Sequence, residues 1–298
     1  MILVIGASGR VGGELLGQFG GLEVLKLLGE RDRPVRVLAQ HAVQAASFEA
    51  KGLETALWAP GSSEPLEAAF SGVSRLFLVT PGSAEQVDLQ LQAIRAAAKA
   101  GIQQIVKISD LGSSATSPIQ HARWNWELEQ AILRTGVAYT FLRADFFMQN
   151  FLLVIAPTVT AEDVFFVPSG EGRVPFVDLR DIAEVAVAAL TEPGHENRVY
   201  DLTGPESLSF GDVARILSEA INRDVTYEDV APETARETLV RSGLPDWFAH
   251  DLVELFGQVK EGLCAEVSSD VPAVTHHPAR SLRDFLGEAR ESFQTAYV

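Results

Sequence analysis

The sequence predicts an α/β protein: a doubly wound parallel sheet with a smaller, mostly helical lobe towards the C-terminus. Three observations predict it. An apolar run, Met1-Ile2-Leu3-Val4-Ile5, opens directly into Gly6-Ala7-Ser8-Gly9-Arg10-Val11-Gly12. Short apolar strand-like runs then alternate with helical stretches through the first half, the pattern of a parallel sheet covered on both faces. The last seventy residues read as helices broken by prolines.

The elements follow in order. Strands are expected at Ile2–Ile5, Val35–Ala39, Glu54–Trp58, Arg75–Thr80, Gln104–Ile108 and Tyr139–Arg143. The clearest helix runs from Glu85 to Ala100, with Gly101 where a helix takes its left-handed cap. The first helix should stop near Gly20-Gly21, yet Leu22 to Leu28 continues in helical style, so a broken or extended helix is expected. Asp178 reads as the N-cap of a helix that carries Asp181 in its first turn and then the apolar run Ile182 to Leu190. A strand at Arg198–Leu202 leads into the turn Thr203-Gly204-Pro205, and Ser209 caps a helix through Ala220. Val225–Val230 reads as a short strand. Pro232 to Leu286 is mostly helical, with breaks at Pro245, Pro272 and Pro278.

The glycine turn carries the first chemistry. A strand feeding Gly-x-x-Gly-x-x-Gly into a helix is the Rossmann-type arrangement for a dinucleotide pyrophosphate. Gly6 permits the turn, Gly9 lets the backbone approach the phosphates, and Gly12 lets the helix pack on the strand. The free N–H groups of Ser8, Arg10 and Val11 at the helix start face the anion. The expected division is a dinucleotide-binding domain over 1–155, with 174–192 returning to it. The smaller substrate lobe takes 156–173 and 193–298.

Charge is unevenly placed. Residues 1–150 carry 14 acidic and 13 basic side chains, whereas 151–298 carry 26 and 11. An acidic second half argues against nucleic acid as a direct partner, since phosphate binding needs clustered Lys and Arg. The single cysteine, Cys264, forms no internal disulfide, which suits a cytoplasmic setting. Met1 already belongs to the first strand, so no signal peptide is expected. The longest apolar stretch, Phe146 to Ala156, is too short for a membrane span. His276-His277 lacks a third ligand at metal spacing, so no metal is expected.

The end of the second strand selects between NAD and NADP. Ala39-Gln40-His41 offers no carboxylate to repel a 2′-phosphate, and Arg10 lies within reach, which favours NADP while leaving NAD open. Arg10 and Arg36 also admit the plainer reading of solvated charges. Thr80-Pro81 closes the fourth strand at the edge where ligands bind. Ser109 stands where a short-chain reductase keeps its catalytic serine. Lys107, a lysine in mid-strand, either bonds the cofactor or caps a strand edge. The usual Tyr-x-x-x-Lys dyad is missing: Tyr139, Tyr200 and Tyr227 are followed four residues on by Arg143, Gly204 and Ala231. The helix where it belongs reads His121-Ala122-Arg123-Trp124-Asn125-Trp126-Glu127.

These pieces resemble the NmrA-like atypical short-chain dehydrogenase/reductases, most closely their branch of triphenylmethane and quinone reductases. The resemblance rests on the glycine turn, Phe77-Leu78-Val79-Thr80-Pro81, Ile105-Val106-Lys107-Ile108-Ser109 and Tyr139-Thr140-Phe141-Leu142-Arg143. Phe147-Met148-Gln149-Asn150, Val177-Asp178-Leu179-Arg180-Asp181 and Tyr200-Asp201-Leu202-Thr203-Gly204-Pro205 extend it. Two departures are visible: Gln40 stands where relatives often carry Arg, and Asn125 where they often carry His, although His121 lies one helical turn earlier on the same face. The resemblance implies a cofactor site of Gly6, Ser8, Gly9, Arg10, Val11, Gly12, Gln40, His41, Thr80, Pro81, Lys107 and Arg143. Catalysis would fall to Lys107, Ser109, Asn125 and His121. It also implies that the segment after Arg143 covers the nicotinamide. Trp124, Phe146, Phe147, Asn150 and Trp247 would then wall a flat acceptor, with Asn150 or Gln149 orienting it.

The expected activity is NAD(P)H-dependent hydride transfer to a planar, electron-poor or cationic small molecule, by a monomer or homodimer without membrane partners. The alternative is a non-catalytic, NAD(P)-sensing regulator. A nucleotide-sugar epimerase would need the missing tyrosine.

Overall fold

The computed structural model describes residues 1–6, 15–31, 34–58, 66–80 and 83–294. Ser8, Gly9, Arg10, Val11, Gly12 and Pro81 of the expected cofactor site lie outside these described residues. Contacts divide the chain into two units. The first holds 1–117, 121–143 and 182–200, and the second holds 118–120, 144–181 and 201–298. The chain thus leaves the first unit after Arg143, twelve residues before the boundary expected at 155. The reason is packing: Met148, Phe151 and Ile155 are buried in the core of the second unit.

The first unit is built on the strands β1 (Ile2–Ile5), β2 (Val35–Ala39), β3 (Glu54–Leu57), β4 (Arg75–Leu78), β5 (Gln104–Asp110) and β6 (Ala138–Ala144). Its helices are α1 (Leu15–Glu30), α2 (Ala42–Glu49), α3 (Ala84–Ala100) and α4 (Gln120–Thr135). With β9 (Arg198–Leu202) the strands form one seven-stranded sheet in the order β3-β2-β1-β4-β5-β6-β9. The pairings from β3 through to β5 are parallel. The order reverses between β1 and β4, so the carboxyl ends of those two strands flank the crevice where such sheets take ligands. α1 runs unbroken through Gly20-Gly21, which realises the extended form of the expected helix.

Gly6 sits at that edge under a hard constraint. Its φ is +97°, and a Cβ there would lie 1.4 Å from the carbonyl oxygen of Val79. The turn is pressed against the end of β4, which hydrogen-bonds back through Val79 N–H to the Ile5 carbonyl at 3.1 Å. Below it, Leu3, Ile5, Leu76, Leu78 and Ile105 share one apolar core with Leu89 and Ile94 of α3 and with Leu128 and Ile132 of α4.

The second unit opens with α5 (Ala156–Glu162), β7 (Val164–Phe166) and β8 (Arg173–Val174). α6 (Leu179–Thr191) starts in it and ends in the first unit. β10 (Leu208–Ser209), α7 (Phe210–Ile221) and β11 (Thr226–Glu228) follow, then α8 (Pro232–Arg241), α9 (Asp246–Lys260), α10 (Asp270–Thr275) and α11 (Leu282–Glu288). β11 pairs with β7 and β10 with β8. Ser209 caps α7 as expected and completes a reciprocal capping box with Asp212. Pro245 precedes α9, but Pro272 lies in the first turn of α10 rather than breaking a helix, because a first-turn residue needs no N–H acceptor. Among the described residues, no helix is long and apolar enough to cross a membrane.

Gly6→Ala should destabilise the protein by about 3 kcal/mol, through positive φ and the collision with Val79. Thermal unfolding measures it, and an unchanged melting curve would contradict the geometry of this turn.

Candidate active site

The register places a row of residues across the sheet just inside its carboxyl edge. Ile5 pairs with Leu78 and Leu78 with Lys107, so Lys107 lies in line with the residue before Gly6. Side chains on a strand alternate, so Lys107 and Ser109 share a face. α4 covers that face and offers Asn125 and Glu129, one helical turn apart.

Lys107 is 1% exposed. Its ammonium donates to the Ile108 carbonyl at 2.7 Å and to Asn125 Oδ1. An ammonium has three N–H groups, so one is left without an acceptor among the described residues. Asn125 in turn donates through Nδ2 to Asp110 Oδ2 at 2.9 Å, and His121 Nδ1 meets the same oxygen at 2.7 Å. Ser109 Oγ donates to Glu129 Oε1 at 2.7 Å. Arg143 forks onto both oxygens of Glu129, at 3.0 and 2.6 Å, and balances a carboxylate that is 1% exposed.

The charges shift one another. Burial pushes the Lys107 pKa down to about 8, against the opposing pull of Asp110 and Glu129. Burial works to raise Asp110, but His121, Asn125 and Lys107 outweigh it and hold the carboxyl below its usual range. The cluster is therefore an ammonium and two carboxylates locked by amide, hydroxyl, imidazole and guanidinium partners.

All four side chains expected to be catalytic, Lys107, Ser109, Asn125 and His121, thus meet in one network with Arg143. Lys107 caps no strand edge, since β5 is flanked by β4 and β6. Asp110 and Glu129 were not expected. The available signal was a glutamate four residues after Asn125, between the buried Leu128 and Ile132 of the same helix. Elsewhere on the first unit, Thr80 Oγ accepts from Gln90 Nε2, whose own carbonyl oxygen is buried with no donor among the described residues. Gln40 is half-buried and His41 exposed, at the start of α2. Arg36 is not a free solvated charge: Glu54 and the carbonyls of Ala69 and Ser71 occupy its guanidinium. Trp124 packs half-buried against the first unit's core.

The remaining candidates belong to the second unit. The Phe146 ring joins an aromatic core with Phe151, Phe176, Phe210 and Phe256. Phe147 is half-buried and bridges to Val177. Asn150 is buried, and its Oδ1 has no donor among the described residues. Trp247 is half-buried and packs on Phe248 at 5.4 Å. Gln149 is committed to structure, donating to Asp178 Oδ1 at 3.0 Å and accepting from Leu179 N–H at 3.1 Å.

A model described as the NmrA-like family matches residues 1–277. The chain belongs to the NmrA-like family. It is similar to the NAD(P)H azoreductase of Xenophilus azovorans, at 38% identity over 99% of this chain and 100% of that protein. Among solved structures it resembles the NADPH-dependent quinone oxidoreductase of Escherichia coli complexed with NADPH. There the TM-score is 0.85 at 25% identity, covering 97% of this chain and 99% of the other. The triphenylmethane reductase of Citrobacter sp. complexed with NADP(H) shares the fold, with a TM-score of 0.82 at 24% identity over 97% of this chain and 99% of that one.

The depressed Lys107 pKa has a consequence for stability. Between about 8, its folded value, and 10.5, its ordinary one, the unfolded chain binds the proton more tightly than the folded chain does. Stability contributed at this position therefore rises as pH rises through that window, by up to about 3 kcal/mol. Denaturant unfolding of the wild type and Lys107→Met across the window should show the rise in the wild type alone. Parallel curves would contradict a buried ammonium.

Proposed function

We propose that this NmrA-like protein is an NAD(P)H-dependent reductase that passes hydride to a planar, electron-poor or cationic acceptor, such as a quinone, a dye or a conjugated imine. It works without a Tyr-x-x-x-Lys dyad. The observation that carries the reading is the row Ile5–Leu78–Lys107, which sets a lysine with an uncommitted N–H in line with the residue before Gly6 at the β1/β4 crossover.

The residues present fit a nicotinamide dinucleotide. Gly6 has neither the space nor the φ for a side chain, so the carboxyl end of β1 requires a glycine there, as the start of a phosphate-binding turn does. Gln90 offers, beside Thr80, a buried oxygen without a donor among the described residues. Gly6, Thr80 and Lys107 would hold the cofactor, joined by the motif residues Ser8, Gly9, Arg10, Val11 and Gly12, by Gln40 and His41 at the adenosine end, and by Pro81. When bound, the reduced nicotinamide supplies a hydride. The absence of a carboxylate in Ala39-Gln40-His41 supports NADPH, in line with the cofactor named for the quinone oxidoreductase.

The chain's own groups position and desolvate. Glu129 holds Ser109 and Arg143, and Asn125 holds Lys107, so each polar group meets the ligand in a fixed direction. Phe147 and Trp247 supply flat apolar surface to an aromatic acceptor, and Asn150 supplies an unused acceptor oxygen.

Fluorescence titration should show NADPH binding, and absorbance should show its oxidation by quinones or azo dyes. Gly9→Asp, which sets a carboxylate against the pyrophosphate, should weaken binding by about 100-fold or more. Equal affinity for oxidised and reduced cofactor, with no turnover of any quinone, azo or cationic dye, would overturn the reductase reading in favour of a sensor.

A further inference from the structure

The network at the end of β5 is a chain of donors and acceptors whose polarity is dictated from one end. Its members Lys107, Asp110, Asn125 and His121 all belong to the first unit. A carboxylate only accepts hydrogen bonds, whereas a side-chain amide has an accepting end and a donating end. Asp110 Oδ2 takes Asn125 Nδ2–H at 2.9 Å and meets His121 Nδ1 at 2.7 Å. The Asn125 NH2 group is thereby committed to Asp110, and its Oδ1 is left to accept from the Lys107 ammonium. A flipped amide would set donors against an ammonium and its oxygen against a carboxylate, and both contacts repel. The Ile108 carbonyl takes a second Lys107 N–H at 2.7 Å. Two fixed acceptors on a tetrahedral ammonium fix the direction of its third N–H.

We propose that Asp110 is a positioning residue: acting through Asn125, it fixes the direction in which Lys107 presents its remaining N–H to the cofactor. This rests on the reductase reading and adds to it a residue that works at one remove from the ligand.

Asp110 is itself well held. Its main-chain carbonyl accepts from Ser113 Oγ at 2.8 Å and from Ser113 N–H at 3.2 Å. His121 and Asn125 lie four residues apart on α4, so the carboxylate ties two successive turns of that helix to the end of β5. The charges agree. Asp110 leads Glu129 among the attractions that oppose burial of the Lys107 ammonium. Asp110 is held below the usual carboxylate range, so at neutral pH it is the acceptor that the chain of bonds requires.

The test measures NADPH affinity in variants at these two positions. Asp110→Asn removes the demand for a donor, so either amide orientation is allowed, and affinity should fall by about 10-fold. In an Asn125→Leu background, which has no amide to orient, Asp110→Asn should cause no further loss. Asp110→Asn combined with Asn125→Asp keeps the net charge and the order of donors and acceptors, since the new carboxylate accepts from both Lys107 and the new amide. That exchange variant should recover most of the affinity. Without cofactor, proton–nitrogen NMR of the wild type should show a slowly exchanging Asn125 side-chain N–H, assigned by its loss in Asn125→Leu, and Asp110→Asn should abolish the slow exchange. Undiminished affinity in Asp110→Asn, an equal further loss in the leucine background, an exchange variant without recovery, or an Asn125 amide indifferent to Asp110 would overturn the assignment and leave the reductase reading intact. Should Asp110→Asn fail to fold, the exchange variant decides: native melting and affinity sustain the assignment, and loss of either overturns it. A wild type that binds no NADPH overturns the reductase reading, and with it the role towards the cofactor, whatever the amide signal shows.

Discussion

A charged amine inside a parallel sheet is the constraint on which the site depends. Lys107 lies on β5 with strands on both sides and a helix above. An ammonium stripped of water is costly unless its donors are met and its charge is balanced. The chain balances the charge and meets two of the three donors from α4 and from β5 itself. Asn125 and the Ile108 carbonyl accept from it, and the Asp110 and Glu129 charges lie close enough to raise its pKa against burial. The need sets the rotation of α4, because Asn125 and Glu129 must face the strand while Leu128 and Ile132 enter the core. Folding and the geometry of the candidate site are thus satisfied by the same contacts.

Two carboxylates in the first unit, the buried Glu129 and the half-buried Asp110, have different partners. Glu129 is held by Arg143 and Ser109, a fork that fixes orientation. Asp110 is held by Asn125 and His121, and that imidazole is about one third exposed, so the cluster reaches solvent at one side. In the second unit the logic is inverted. Asp178 and Asp181 are spent at the start of α6 on Arg180 and Arg280, while Asn150 Oδ1 has no donor among the described residues. Polar atoms left unpaired in well-packed surroundings are the exception in folded proteins, and among the described residues Gln90 Oε1, Gln104 Oε1 and Asn150 Oδ1 are such atoms.

The resemblance to an azoreductase and a quinone oxidoreductase fits this division of labour. Such acceptors differ in shape but share an electron-poor, conjugated centre. One hydride source with a shielded apolar surface serves them all, provided a proton is supplied where the acceptor is neutral.

The sequence by itself determined the sheet and the need for a glycine at position 6 where β1 ends. Short continuous apolar runs, helical repeats and caps such as Ser209 and Gly101 are local signals, and each is written within a few neighbouring residues. Lys107, Ser109, Asn125 and His121 were legible as chemistry because their residue types sit at the end of one strand and on the next helix. Only the tertiary structure decided that Glu129 clasps Ser109 and Arg143, that Arg36 is tied down by Glu54, that Phe146 belongs to an aromatic core and that Gln149 is spent on Asp178. It also moved the boundary from residue 155 to Arg143, since Phe151 and Ile155 found their apolar partners on later helices. These outcomes turn on burial and on partners up to more than a hundred residues away, and neither quantity is encoded in any local window of the chain.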